Sequence, residues 1–172
     1  MLQKRKVVVT GLGVLAPNGN TTSEYWKALT AGKSGIGPIE SFDASDLSVR
    51  IAGELKDFDP QSFFDRKELR KLDPFTIYHL VSSEEAIKNS GIDLDKTDGD
   101  RIGVIIGTGI GGIQTLENEH GVFSERGQRR VSPFFVPRFI PNIASGNLAI
   151  KFGLRGPNHT VISACASGTD AI

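Results

Sequence analysis

Short apolar runs bounded by glycine alternate along this chain with stretches whose apolar residues recur at helical spacing. Residues 6–10 (KVVVT) and 101–107 (RIGVIIG) read as strands buried on both faces of a parallel sheet. A third such run, residues 159–164 (HTVISA), gives way to a stretch of small residues. Residues 48–55 (SVRIAGEL) alternate, which predicts a fourth, more exposed strand. Helices are predicted between the strands. Thr21 and Glu24 form a capping box ahead of Tyr25, Trp26 and Leu29, with Gly32 as the stop. Asp59 with Pro60 and Asp73 with Pro74 each join an N-cap to a proline at the first helical position. The second pair opens a helix with Phe75, Tyr78, Val81 and Ile87 on its buried side and Gly91 at its end. One further helix is expected after Gly112 and another over residues 142–152. Strands alternating with helices indicate an α/β fold with right-handed crossovers.

The only cysteine, Cys165, sits where the third strand run meets Ala166, Ser167, Gly168, Thr169 and Asp170. That is the pattern of a nucleophile on a strand-to-helix elbow, where unpaired N–H groups favour a thiolate and small neighbours admit a substrate carbonyl. The competing reading of a lone cysteine is a buried small hydrophobe. A helix end contributes only about 0.3–1 kcal/mol, so a base or further donors should assist. His159 lies six residues upstream, roughly 20 Å away along an extended chain, and is not that base. His79 falls inside the helix opened by Asp73 and reads as structural, while His120 reads as the solvated end of a charged helix.

Composition narrows the class. At 38% hydrophobic and 23% charged residues the chain is an ordinary soluble globular one with enough apolar mass for a core. Lys plus Arg equals Asp plus Glu at 20 each, which argues against a general nucleic-acid binder and moves attention to local clusters. Arg66, Lys67, Arg70 and Lys71 recur at helical spacing on one side of a short helix, and Arg126, Arg129 and Arg130 form a second cluster on a loop. Either suits an acidic partner or a phosphate. Residues 134–140 (FFVPRFI) are the densest apolar stretch, yet Pro133 and Pro137 argue against a regular strand or helix interior. This stretch is a core-filling loop, a subunit interface or the wall of a hydrophobic substrate pocket, and the last two together are favoured. One cysteine allows no internal disulfide, no apolar run approaches membrane-spanning length, and Lys4, Arg5 and Lys6 lead straight into a strand. The cytoplasm is the expected compartment.

Two glycine motifs invite a dinucleotide reading: Gly11, Gly13 and Ala16 after the first strand, and Gly107, Gly109 and Gly112 after the second. Pro17, Asn18, Gly19 and Asn20 oppose the first, because a turn there replaces the helix that should hold a pyrophosphate. The second continues into a charged segment. Tight turns and close backbone approach explain these glycines as well as a nucleotide does.

The segments VVVTGLGVLAPNG (7–19), GTGIGG (107–112), SPFFVP (132–137), GLRGPN (153–158) and SACASG (163–168) together resemble the β-ketoacyl-[acyl-carrier-protein] synthases, above all the elongating type II enzymes of fatty acid synthesis. Polyketide ketosynthases are nearer cousins than thiolases. The resemblance implies a thiolase-like αβαβα layered sandwich, of which residues 1–172 would be most of the N-terminal half, inactive alone. Cys165 would be the nucleophile, its backbone N–H one oxyanion donor, with the second donor, two histidines and a lysine in the other half. Ile110 resembles a gate at the acyl pocket, and Phe135 a pocket residue contributed across a homodimer interface. Lys67, Arg70, Lys71, Arg129 and Arg130 match basic positions that meet acyl carrier protein. The family implies no cofactor beyond the phosphopantetheine that arrives on the carrier, no metal, and no nucleic-acid or membrane partner. Set against the fatty acid enzyme are a polyketide ketosynthase, a non-catalytic carrier-binding half that dimerises through residues 134–140, and a nucleotide-linked reductase.

Overall fold

The structure, a computed structural model, describes residues 6–172; Lys4 and Arg5 of the basic lead lie outside the described residues. The chain separates into two compact units, one formed by residues up to Phe58 with Val81–Ile92, the other by Asp59–Leu80 with Asp93–Ile172.

In the first unit, α1 (Thr22–Thr30) begins at Thr21, whose hydroxyl accepts the Glu24 N–H at 3.2 Å. The returning arm of the box lands one residue early, the Glu24 carboxylate accepting the Asn20 N–H at 2.9 Å. Gly32, at φ 65°, follows the helix end. β1 (Ile36–Pro38) pairs antiparallel with β2 (Ile51–Gly53), which is the core of the alternating stretch read from sequence. Glu54, just past β2, accepts the Glu40 N–H at 2.8 Å, the Ser41 N–H at 3.2 Å and the Ser41 hydroxyl. The Ser41 hydroxyl first, and the Glu40 amide next, hold its carboxyl below the usual range.

Glycines 11 and 13 follow from packing rather than ligand binding. A Cβ on Gly13 would lie 1.8 Å from the Ser82 carbonyl oxygen, and one on Gly11 2.2 Å from that of Ala86. The backbone there lies directly against the segment Val81–Ile92. Glu85 fastens the contact, accepting the Val14 N–H and the Thr22 N–H, each at 2.8 Å. Ala16 and Gly19 exchange N–H to carbonyl bonds of 2.9 and 3.0 Å, which makes the expected turn around Pro17 and Asn18.

Residues 6–10 depart from expectation. They form no strand, and Val7, Val8 and Val9 are 91, 63 and 78% exposed. Apolar patterning records what a segment is suited to bury, whereas a strand exists only through a hydrogen-bonded partner; none pairs with this run among the described residues.

The first α-helix of the second unit is α2 (Arg66–Leu69), a single turn closed by a full capping box between Asp65 and Glu68. Asp59 and Pro60 start only a 3₁₀ turn, Pro60–Ser62. Asp73 and Pro74 do start a long helix, α3 (Pro74–Ser90), whose later residues belong to the first unit. Its buried positions are Thr76, Ile77, Leu80 and Val81; of the expected face Val81 is buried, Phe75 and Ile87 are half-buried and Tyr78 is exposed. Partial burial, then the negative Asp73, pushes the Tyr78 phenol above its ordinary value.

β3 (Val104–Gly107) leads through a glycine-rich loop to α4 (Ile113–Arg126), then a 3₁₀ turn Gln128–Arg130 and α5 (Phe135–Phe139). α5 overturns the expectation of an irregular segment. Pro137 is its third residue, where an N–H has no intrahelical partner to lose. α6 (Ile143–Phe152) ends at left-handed Gly153 and returns the chain to β4 (Asn158–Val161), which pairs parallel to β3. Ala144, Ser145 and Leu148 of α6 are buried in this unit, as are Val104 and Ile106 of β3. Ile105 is 54% exposed, so β3 is covered on one face rather than the two expected. No helix among the described residues is long and apolar enough to cross a membrane.

Asp73 is the polar anchor of this unit. Only 2% exposed, it accepts the Phe75 N–H at 3.1 Å with one oxygen and, with the other, the Thr115 N–H at 3.1 Å and hydroxyl at 2.6 Å. The starts of α3 and α4 are thereby pinned together. Asp73→Ala strands the buried Thr115 donors and is expected to cost about 3 kcal/mol, read as a lowered denaturation midpoint at unchanged m-value. Glu54 supplies a pH test. A carboxyl with a depressed folded pKa stabilises the native state above its unfolded value of about 4.3 and loses that contribution as pH falls through the folded one. The stability difference between wild type and Glu54→Gln should therefore shrink on acidification from pH 6 to pH 3, followed by thermal denaturation.

Candidate active site

The parallel ladder continues one bond past β3, the Thr108 N–H donating to the Val161 carbonyl at 3.1 Å. Two loops therefore leave the sheet side by side at the carboxyl ends of their strands: residues 108–112 after β3 and residues 162–166 after β4. The carboxyl ends of parallel strands are where α/β folds gather ligands. Gly107 is obligatory at this crossing, since a Cβ there would lie 2.0 Å from the Ser167 carbonyl oxygen.

After β4 the backbone turns sharply. Ala164 adopts φ 50°, a left-handed conformation unusual for a residue with a side chain. Residues Ala164–Ala166 form a 3₁₀ turn with Cys165 at its centre, and α7 (Ser167–Asp170) follows. The elbow read from sequence is present, but as a 3₁₀ turn and one helical turn instead of a thiol seated on a regular helix. Cys165 is exposed, which removes the buried-hydrophobe reading. Among the described residues no carbonyl accepts its N–H. The flanks are tied down: the Ser163 hydroxyl donates to Asp170, and Ser167 bonds to three backbone groups.

Ile110 stands on the neighbouring loop and is 60% exposed. That loop is braced by the Gly111 N–H to Thr108 hydroxyl bond of 3.2 Å and by the Gly112 N–H to Phe139 carbonyl bond of 3.0 Å. Phe135 is half-buried on α5, its ring stacked 5.8 Å from Phe139. It helps line a cavity of about 310 Å³ with Leu116, Glu119, His120, Phe123 and Val131.

The basic residues Lys67, Arg70, Lys71, Arg129 and Arg130 are all exposed. Their arrangement differs in detail from the one expected. Arg70 caps α2 and Lys71 lies beyond it, so one helix face does not carry the first cluster. In the second, Arg126 ends α4 while Arg129 and Arg130 occupy the 3₁₀ turn. Lys71 approaches the apolar segment, its ammonium 5.8 Å above the Phe134 ring.

The histidines remain outside the elbow. His79 contacts the Phe75 carbonyl through Nδ1 at 2.7 Å, and His159 is an exposed β4 residue. His120 is six residues short of the α4 end, not at it, because the helix continues through Gly121 to Arg126. What sequence reasoning missed is Ser167, 2% exposed. A small residue in a run of small residues carries no periodic signal; its spacing from Ser163 and Ala164, four and three residues, was the available clue.

The chain is similar to known proteins along nearly its whole length. Residues 4–172 match the family described as beta-ketoacyl synthase, N-terminal domain. The chain is 47% identical over 171 residues to 3-oxoacyl-[acyl-carrier-protein] synthase 2 of Synechocystis sp., covering 99% of this chain and 41% of that protein. It is 45% identical over 172 residues to the synthase of the same name from Staphylococcus aureus strain COL, covering 100% of this chain and 42% of that one. The chain thus spans about two fifths of the length of these curated relatives. Among solved structures, the ishigamide ketosynthase/chain length factor superposes with a TM-score of 0.84 at 27% identity, covering 95% of this chain and 41% of that one. A type II PKS acyl-carrier protein in complex with its ketosynthase gives 0.78 at 26% identity, covering 95% and 43%. With the fold of the thiolase-like ketosynthases and a family match running from residue 4 to its last residue, this chain belongs to the β-ketoacyl synthases, in their N-terminal domain.

Proposed function

We propose that this chain is the nucleophile-bearing part of an elongating β-ketoacyl-[acyl-carrier-protein] synthase of fatty acid synthesis, and that Cys165 is its nucleophile. The exposed thiol at the centre of a strained turn, where two parallel strands end, is the observation that carries the reading. The Cys165 sulfur attacks the thioester carbonyl carbon of an acyl carrier protein. The carbonyl oxygen takes the negative charge, and the Cys165 N–H, uncommitted to any described carbonyl, is one donor to it. Collapse breaks the bond to the phosphopantetheine sulfur, which leaves on the carrier with a proton, and the acyl group stays on Cys165. Malonyl carrier protein then loses CO₂. Its carbanion forms the new carbon–carbon bond at the acyl carbonyl and expels the Cys165 sulfur, releasing a 3-oxoacyl carrier.

Ile110 and Phe135 are assigned to the acyl pocket. Lys67, Arg70, Lys71, Arg129 and Arg130 are assigned to the acidic carrier, and a solved relative in complex with its acyl-carrier protein supports that kind of partner. Exposed Phe134 and Val136 support a homodimer that covers the apolar segment. The cytoplasm is the proposed compartment.

In the complete synthase, iodoacetamide and an epoxide inhibitor of the cerulenin type should label Cys165, identified by peptide mass. Cys165→Ala should lower acyl transfer by roughly 1000-fold or more; unchanged turnover would end the assignment. Lys67→Glu with Lys71→Glu should raise KM for the carrier substrate about tenfold at low salt while leaving kcat nearly constant. That gap should narrow as salt screens the exposed charges.

A further inference from the structure

Ser167 is almost fully enclosed and its hydroxyl makes three contacts. It accepts the Ser163 N–H at 2.9 Å, and its single proton lies between the carbonyl oxygens of Ala164 at 2.7 Å and Thr108 at 3.0 Å. The Ala164 carbonyl belongs to the peptide unit that carries the Cys165 N–H. That unit is planar and trans, so its C=O and N–H point in opposite directions. Fixing one fixes the other. The restraint matters because Ala164, at φ 50°, is held in a left-handed conformation that a residue with a side chain rarely adopts.

We propose that Ser167 is a positioning residue: by drawing the Ala164 carbonyl inward it aims the Cys165 N–H outward, at the oxygen of an acyl group being transferred. The bond to Thr108, 59 residues away in sequence, anchors the elbow to the loop that bears Ile110, so the amide is aimed relative to that loop. The Ser163 hydroxyl, bonded to Asp170, closes the turn from the other side. This inference rests on Cys165 being the nucleophile and its amide an oxyanion donor, and adds Ser167 as the residue that aims that amide.

Two reactions of the same sulfur separate aiming from mere folding. Acyl transfer develops negative charge on a carbonyl oxygen and needs the donor, whereas alkylation by iodoacetamide displaces iodide at a CH₂ group and does not. In the complete synthase, Ser167→Ala is expected to slow single-turnover acylation from acyl carrier protein by roughly 10- to 100-fold, with KM for the carrier within about threefold. Iodoacetamide labelling of Cys165 should stay within about twofold of wild type. Ser167→Thr, which keeps the hydroxyl, should recover most of the acylation rate. Acylation equal to wild type in Ser167→Ala would overturn the proposal. So would acylation and alkylation falling together, or failure of Ser167→Ala to fold, because the hydroxyl would then be holding the domain. Cys165→Ala run in parallel keeps the two claims apart: if it still acylates, the nucleophile assignment fails first.

Discussion

Four rungs of parallel ladder, from Val104 against Asn158 to Gly107 against Val161, bring together loops that lie more than 50 residues apart in the chain. Both loops with chemical promise start at the last rung. The one after β3 carries Ile110 and the one after β4 carries Cys165. Parallel strands present their carboxyl ends on the same edge, so pairing these two segments in register is what makes a site of them. Gly107 is the cost of the arrangement at its tightest point, where the α7 backbone presses so close that no side chain fits.

Within each unit, buried or half-buried carboxylates serve as fasteners rather than as acids or bases. Asp73 joins the first turns of α3 and α4 through Thr115, and Glu85 joins residue 14 to the start of α1. Each satisfies backbone donors at helix starts or in loops, where N–H groups otherwise lack partners. The same logic explains the glycines. Gly11 and Gly13 resemble a dinucleotide fingerprint in spacing, yet the space that a phosphate would need is filled by the carbonyls of Ser82 and Ala86.

Charge and apolar surface meet near Phe134. Lys71 lies over its ring, and the exposed arginines of the 3₁₀ turn precede it by a few residues. Exposed cations of this kind govern encounter and orientation with a charged partner more than final affinity.

Much of the fold was legible in the chain because local chemistry decides it. The caps at Thr21 and Asp73, the helices after Gly112 and Asn142, and the two runs that became β3 and β4 all follow from side chains a few residues apart. So did the nucleophile candidate, since an apolar run ending in Ser-Ala-Cys-Ala-Ser-Gly implies an elbow whatever surrounds it. Three matters were decided only in three dimensions. Residues 6–10 have the composition of a strand but no partner among the described residues, and pairing is not a local property. Pro137 fits a helix because it falls in the first turn, a matter of where α5 begins. The direction of the Cys165 amide depends on a hydroxyl shared between Ala164 and a loop 59 residues distant from it, a contact created by the register of two strands that no spacing along the sequence records.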